Sequence, residues 1–431
     1  MSSSRRGPNG VSTHHAPTAV ATDGQGLTSG VAYLRSARAI RERCGNILDA
    51  VRAGRSTFFR VDESKLEDAA RVVERVTLER YPDLKVPFHS RWRHFSAGGL
   101  DRAGQLDQAL GSASAAECAR ARIDLAFISV LLDAGAGAAW RYVEPGTKRI
   151  YTRSEGLGVA SFHAFMRGDF SARPEKPLQV DADALARIDT KSLAAMFQMR
   201  DNNPLVGVEG RVTLLRGLGQ ALRAQPSLFG IPPRPGHLFD ALTEQGSRHA
   251  LGAEEILAAL LEALAPIWPS DRKLAGESLG DVWRHPLAGG QRTSAGWVPF
   301  HKLSQWLTYS LLEPFQWGGI DIDGIDQLTA LAEYRNGGLL VDTGVIVPTD
   351  PTLKQQTHRP GSLPIIEWRA LTVALMDPLA ERVRQLLGRD AAAMPLIAVL
   401  EGGSWAAGRE LARLLRGGEP PFKVISDGTV F

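Results

Sequence analysis

LTALAEYRNGGLLVDTG, Leu328 to Gly344, sets Glu333, Tyr334, Arg335 and Asp342 among small and apolar residues. A surface segment would carry fewer apolar side chains, and a core segment fewer charges. Either the charges neutralise one another for structural reasons, or they face a ligand. A Glu333–Arg335 pair alone would cost about as much in desolvation as it returned in attraction, which favours a ligand that uses one partner. The stretch Leu339–Val347 is β-branched and bounded by glycines and Pro348, so it reads as a strand. Asp342 lies within it, with a turn-forming role as the structural alternative.

Outward from this segment, helical periodicity dominates. Leu34, Ile40, Cys44, Ile47, Leu48 and Val51 recur at helical spacing between Gly30 and Ala53, and Gly54 stops the run. Residues 63–79 repeat the pattern, and Tyr81–Pro82 ends it. Further helices fit 115–133, 183–197, 209–223, 253–265, 301–315 and 365–387. Strands are expected at Phe58–Asp62 and Leu339–Val347, with a hairpin over Trp140–Arg153 around Pro145–Gly146. Residues 1–28, rich in Gly, Ser, Thr and Pro, read as a disordered tail. Residues 29–431 read as one large, mainly α domain with short β elements.

Bulk composition narrows the functional classes. Fifty basic against 47 acidic residues leave a formal net charge of +3, without the concentrated basic excess of a nucleic-acid protein. A few local cations still suffice for one phosphate. Two cysteines without CxxC spacing point to a reducing, cytoplasmic setting. No apolar run suits a membrane span. P-loop, GxGxxG, HExxH and GxSxG signatures are missing, and the ten histidines form no recognisable ligand set, so neither metal nor cofactor is expected.

Chemistry could lie in three more clusters. In Ser90–Arg102, Trp92 and Phe95 could stack on a planar ligand, with Arg91, Arg93 and His94 interleaved; aromatic anchoring in the core is the alternative. In Pro299–Phe315, Lys302, Gln305, Trp306 and Tyr309 share one helical stripe, as though the helix lined a polar cavity, or as though Lys302 snorkelled to the surface. In Lys354–Val373, His358 and Arg359 precede a Pro–Gly turn and could grip an anion. Glu367 and Arg369 open an apolar helix there, where a carboxylate also suits the helix N-terminus.

The segments Arg91–Arg102, Trp140–Met166, Asn203–Arg211, Trp297–Ile320, Glu333–Gly344, Gln356–Asp377, Val399–Arg413 and Ser426–Phe431 resemble the uracil catabolism protein family. The resemblance runs from about residue 30 to the last residue. It implies a place in a pathway that converts uracil to its ribotide, opens the ring with a homologue of GTP cyclohydrolase II, and yields ribosylurea, urea and a three-carbon acid. A fainter likeness is to the queuosine salvage family, N-glycosidases of nucleoside 5′-phosphates with a fold similar to helical DNA glycosylases. Leu328–Arg335 matches its LTxxADYR-like motif and Ile365–Ala370 its EVEIRA-like motif. The acidic position of the first motif falls on Glu333, where that family has Asp.

Together these resemblances imply a hydrolase that cleaves the N-glycosidic bond of a ring-opened uracil ribotide or urea ribotide. Glu333, with Asp342 as substitute, would stabilise the oxocarbenium-like transition state. His301, His358 or Tyr334 would protonate the leaving group, and Lys302, Arg335 and Arg359 would hold the phosphate. Gln305, Glu367 and Arg369 complete the expected binding set, and Trp92 and Phe95 would cover the ureido group. Two rivals stand beside this reading: an amidohydrolase that cuts the acyl–urea bond, and a non-catalytic partner that channels an intermediate from the ring-opening enzyme.

Overall fold

Eight helices frame the molecule: α1 (Ala37–Arg52), α2 (Leu66–Arg80), α3 (Ala115–Leu131), α4 (Arg153–Met166), α5 (Lys302–Trp317), α6 (Tyr334–Asp342), α7 (Leu363–Leu387) and α8 (Trp405–Arg416). The computed structural model describes residues 30–268 and 272–425. The tail expected over 1–28 and the terminal motif Ser426–Phe431 lie outside the described residues. The protein is mainly α, and its strands are two or three residues long in two-stranded pairs. No described helix is long and apolar enough to cross a membrane.

Local sequence explains the helix ends. Ser36 accepts a hydrogen bond from Ala39 N (3.1 Å) at the start of α1, and Ser114 does the same for Glu117 N (3.2 Å) at α3. The expected 183–197 helix is divided into Ala182–Arg187 and Thr190–Met196. Extended Ile188 and the Asp189–Ser192 capping box make that break.

The apolar stripes then define the packing. α7 lies against both α1 and α2, α3 against α5, and α6 against both α7 and α8. One continuous cluster of buried apolar side chains runs from Ala37 to Phe422. A second, small cluster joins Val31 and Leu34 to Leu279, Val282 and Trp297.

The strand expected over Leu339–Val347 is corrected. The chain is helical through Asp342, turns at Thr343–Gly344, and only Ile346–Pro348 is extended, pairing antiparallel with Phe59–Val61. β-branching misled because only Val341 precedes the turn, while Leu339 and Leu340 are good helix formers that α6 buries against α7 and α8. The hairpin is present as Arg141–Val143 against Ile150–Thr152.

α6 and α8 approach closely because of Gly408. A methyl at that position would run into the Arg335 carbonyl oxygen, which is backbone and cannot swing away. Gly408→Ala should therefore lower stability by about 1–3 kcal/mol, read as a lower denaturant midpoint at unchanged slope. An unchanged midpoint would show that the two helices can separate freely.

Candidate functional site

Glu333 lies at the N-cap of α6, in extended conformation, and both of its carboxylate oxygens serve the helix. Arg335 N donates to one (2.6 Å) and Asn336 N to the other (2.5 Å). The side chain is only half-buried and faces a cavity of about 320 Å³. Burial pushes its carboxyl above the ordinary range, while the two N–H groups and the nearby charge of Arg335 oppose that rise.

The segment that carries Glu333 is clamped by α5. Gln305 Nε2 donates to Thr329 Oγ1 (2.8 Å), Thr329 N donates to Gln305 Oε1 (3.2 Å), and Tyr309 OH donates to Thr329 O (2.5 Å). The stripe expected at Lys302, Gln305, Trp306 and Tyr309 is thus real but divides its work. Lys302 and Trp306 line the cavity, while Gln305 and Tyr309 position the acid.

A buried ion pair ties these parts together. Arg369 donates to both oxygens of Asp281 (2.9 and 2.8 Å) and to Ala332 O (3.4 Å), next to Glu333. Asp281 also accepts from Lys302 N (3.1 Å) and Trp283 Nε1 (2.6 Å). Burial pushes the Asp281 carboxyl up, but Arg369 and the hydrogen bonds overcome this and hold it well below the usual carboxylate range. Lys302, the first residue of α5, has its ammonium pKa pulled down by burial and then by Arg369; Asp281, Glu333 and Asp133 act in the opposite sense.

Three helix N-termini meet at the cavity. Arg153 and Ser154 open α4, Lys302 and Leu303 open α5, and Glu333–Tyr334 opens α6; all six residues line the space. Aligned peptide dipoles and unpaired N–H groups favour negative charge at such ends. Two of the three entries hold a non-glycine residue in the left-handed region, Arg153 (φ 53°) and His301 (φ 46°), a strained geometry that clusters at functional sites.

The remaining wall is aromatic and basic. His89, His94, Trp306 and Trp405 line one side, and Asp133 accepts from Ser154 Oγ (2.6 Å) and pairs with Arg91 (2.8 Å). Arg91 Nη1 donates to His94 Nδ1 (2.8 Å). Because a guanidinium can only donate, the His94 proton sits on Nε2. Burial and then the Arg91 charge push the His94 pKa well below the ordinary imidazole value, so the ring is neutral at pH 7.

Several expected site residues are elsewhere. Trp92 and Phe95 are buried in the core, with Trp92 Nε1 donating to Ser310 O (2.9 Å). The short helix Arg91–Phe95 puts that pair on one side and Arg91 and His94 on the other. Asp342 forms a bidentate bridge with Arg416 (2.6 and 2.7 Å) and does not line the cavity. His301 Nε2 bonds Leu34 O (2.9 Å), and His358 Nε2 bonds Leu353 O (2.8 Å). Glu367 is fully buried against Ser56 and His285. Arg359 is exposed and off the cavity. Arg335 is buried, with its guanidinium over the Tyr334 ring and donating to Gly418 O (3.2 Å). That carbonyl also accepts from Arg153 Nη1 (3.1 Å), so the two arginines hold the C-terminal segment whose Glu419, Pro420, Phe422 and Val424 close the cavity.

His89, Asp133, Arg153, Ser154, Glu401 and Trp405 were not singled out from sequence. Arg153, Ser154, Glu401 and Trp405 lie inside the long motifs Trp140–Met166 and Val399–Arg413, but nothing in their spacing separates them from helical surface residues.

Glu401 bears on acid stability. Burial pushes its carboxyl up, but the hydrogen bond from His89 and the Arg80 guanidinium outweigh this and hold it at about 2, against an ordinary 4.5. A depressed carboxylate contributes stability that is present above about pH 4.5 and lost as pH falls toward about 2. Glu401→Gln should flatten that acid limb in a plot of unfolding temperature against pH. An unaltered limb would mean that other carboxylates control it.

A mainly α-helical protein whose cavity sets a capped carboxylate among helix N-termini is thereby defined. A family model described as "Protein of unknown function (DUF1688)" matches residues 33–431. Protein urg3 of Schizosaccharomyces pombe is 39% identical over 414 residues, 94% of this chain and all of the relative. Uracil catabolism protein 4 of Lachancea kluyveri is 36% identical over 437 residues, 93% of this chain and 99% of the relative. The chain belongs to the family that these two proteins represent.

Proposed function

We propose that this protein is a hydrolase of uracil catabolism that cleaves the N-glycosidic bond of a ring-opened uracil ribotide or urea ribotide, giving ribose 5-phosphate and urea or an acylurea. The name of the Lachancea kluyveri relative supports the pathway. The observation that carries the reaction is the half-buried Glu333 carboxylate, facing the cavity where the N-termini of α4, α5 and α6 converge.

In this reading Lys302, Arg153 and the α4 N-terminus take the phosphate, as charge-assisted donors do. Trp306 and Trp405 cover the flat ureido group in place of Trp92 and Phe95. Glu333 faces the anomeric carbon and stabilises the positive charge that develops as the C–N bond lengthens. Tyr334 lines the same space, and its hydroxyl makes no hydrogen bond among the described residues. It supplies the proton to the departing nitrogen.

The direct test incubates the purified protein with ring-opened uracil ribotide, and separately with ribosylurea 5-phosphate, and follows products by mass. Ribose 5-phosphate is the expected product. Free three-carbon acid with intact urea ribotide would instead assign an amidohydrolase.

A further inference from the structure

The helical run that ends in α8 is interrupted by a π-turn at Leu400–Ser404, a widening often found at functional sites. Gly403 lets this turn sit against α2, where a Cβ would clash with the Val73 carbonyl and the Thr77 side chain. The turn presents Glu401 to three partners: Arg80 Nη2 (2.7 Å), Tyr81 OH (3.1 Å) and His89 Nδ1 (2.8 Å). The ionised carboxylate can only accept, so the His89 proton is on Nδ1. Its Nε2 makes no hydrogen bond among the described residues and is not sealed from solvent. The ring lines the cavity, with its centre 4.7 Å from that of Trp306 and 6.2 Å from that of Trp405.

From this geometry we infer that His89 is the general base that takes a proton from the water attacking the anomeric carbon, with Glu401 as its positioning residue. The inference rests on the glycosidase reading and adds to it the group that activates water. His94, its neighbour on the same wall, cannot share the role, because its Nδ1 is occupied by Arg91 and its Nε2 already bears the proton.

The C1–N bond breaks and its electron pair goes to the urea nitrogen, which takes the Tyr334 hydroxyl proton. The water oxygen bonds to C1, and its proton passes to His89 Nε2. The imidazolium then loses one proton to solvent and the phenolate regains one, leaving ribose 5-phosphate and urea. A carboxylate behind the imidazole fixes its tautomer and stabilises the imidazolium that forms.

Azide provides the decisive test, because it is a nucleophile that needs no deprotonation. With ribosylurea 5-phosphate, His89→Ala should fall about 10²–10⁴-fold in kcat. Added azide should restore cleavage and yield ribosyl azide 5-phosphate. Glu401→Gln should lower kcat at unchanged KM and also respond to azide. A His89→Ala protein as active as wild type, or one that folds and binds ribose 5-phosphate yet ignores azide, overturns the assignment. Should unfolding curves show His89→Ala to be misfolded, His89→Gln is read in the same way. A wild type that releases no ribose 5-phosphate overturns the glycosidase reading and this inference together; an active wild type with unrescued variants overturns this inference alone.

Discussion

Glu333→Gln is expected to remove turnover, by about 10³-fold, while ribose 5-phosphate still binds. The substitution keeps the shape and deletes the charge. A glutamine oxygen can still accept from Arg335 N or Asn336 N, so the cap of α6 weakens by about 1 kcal/mol rather than failing. Lys302 and Arg153, the proposed phosphate ligands, lie on other elements and are not displaced. In the proposed reaction turnover depends on the negative charge facing C1, which an amide cannot supply. Single-turnover rates beside calorimetric titration with ribose 5-phosphate separate the two effects. A channelling partner without chemistry of its own would tolerate the change, so normal pathway flux through the Gln protein would end the catalytic proposal.

The same carboxylate sets the direction of the pH profile. Burial raises its pKa above the ordinary 4.5, and in the proposed reaction the ionised form is the active one. Activity should therefore climb with pH on a limb displaced above that value.

The largest stability effect is expected at Asp281. Asp281→Ala would remove the carboxylate opposite the Arg369 guanidinium in an interior where the Arg369 side chain is 2% exposed. Breaking one side of such a pair costs about 3–5 kcal/mol. Lys302 N and Trp283 Nε1 would also lose their acceptor. The damage should reach the site, because Arg369 links Asp281 to Ala332 O beside Glu333. Denaturant midpoints should fall steeply for Asp281→Ala and recover in part in Asp281→Leu/Arg369→Met, which removes both charges. A double variant no more stable than the single one would contradict the desolvation argument.

Much of the helical framework is legible from spacing alone. Ile40, Cys44, Ile47 and Val51 mark the buried face of α1, and the stripe Lys302–Gln305–Trp306–Tyr309 names the inward face of α5. Glu333 too stands out, since a carboxylate between Ala332 and Tyr334 in an apolar run demands a partner. Its actual partners are backbone N–H groups, which do not appear as residue types in a sequence. The ion pair of Asp342, at the end of α6, is equally hidden. Its partner Arg416 is 74 positions away.

By itself, then, the sequence determined where most of the helices form and which acid is anomalous, because periodicity and local polarity act between near neighbours. Only the tertiary structure decided the rest. It brought His89, Lys302, Glu333 and Trp405 around one space, withdrew Trp92 and Phe95 into the core, and gave Arg369 to Asp281 rather than to a ligand. Those choices come from contacts between distant segments. A buried charge takes whichever opposite charge or N–H group the packing brings within hydrogen-bond range, and chain order does not encode that distance.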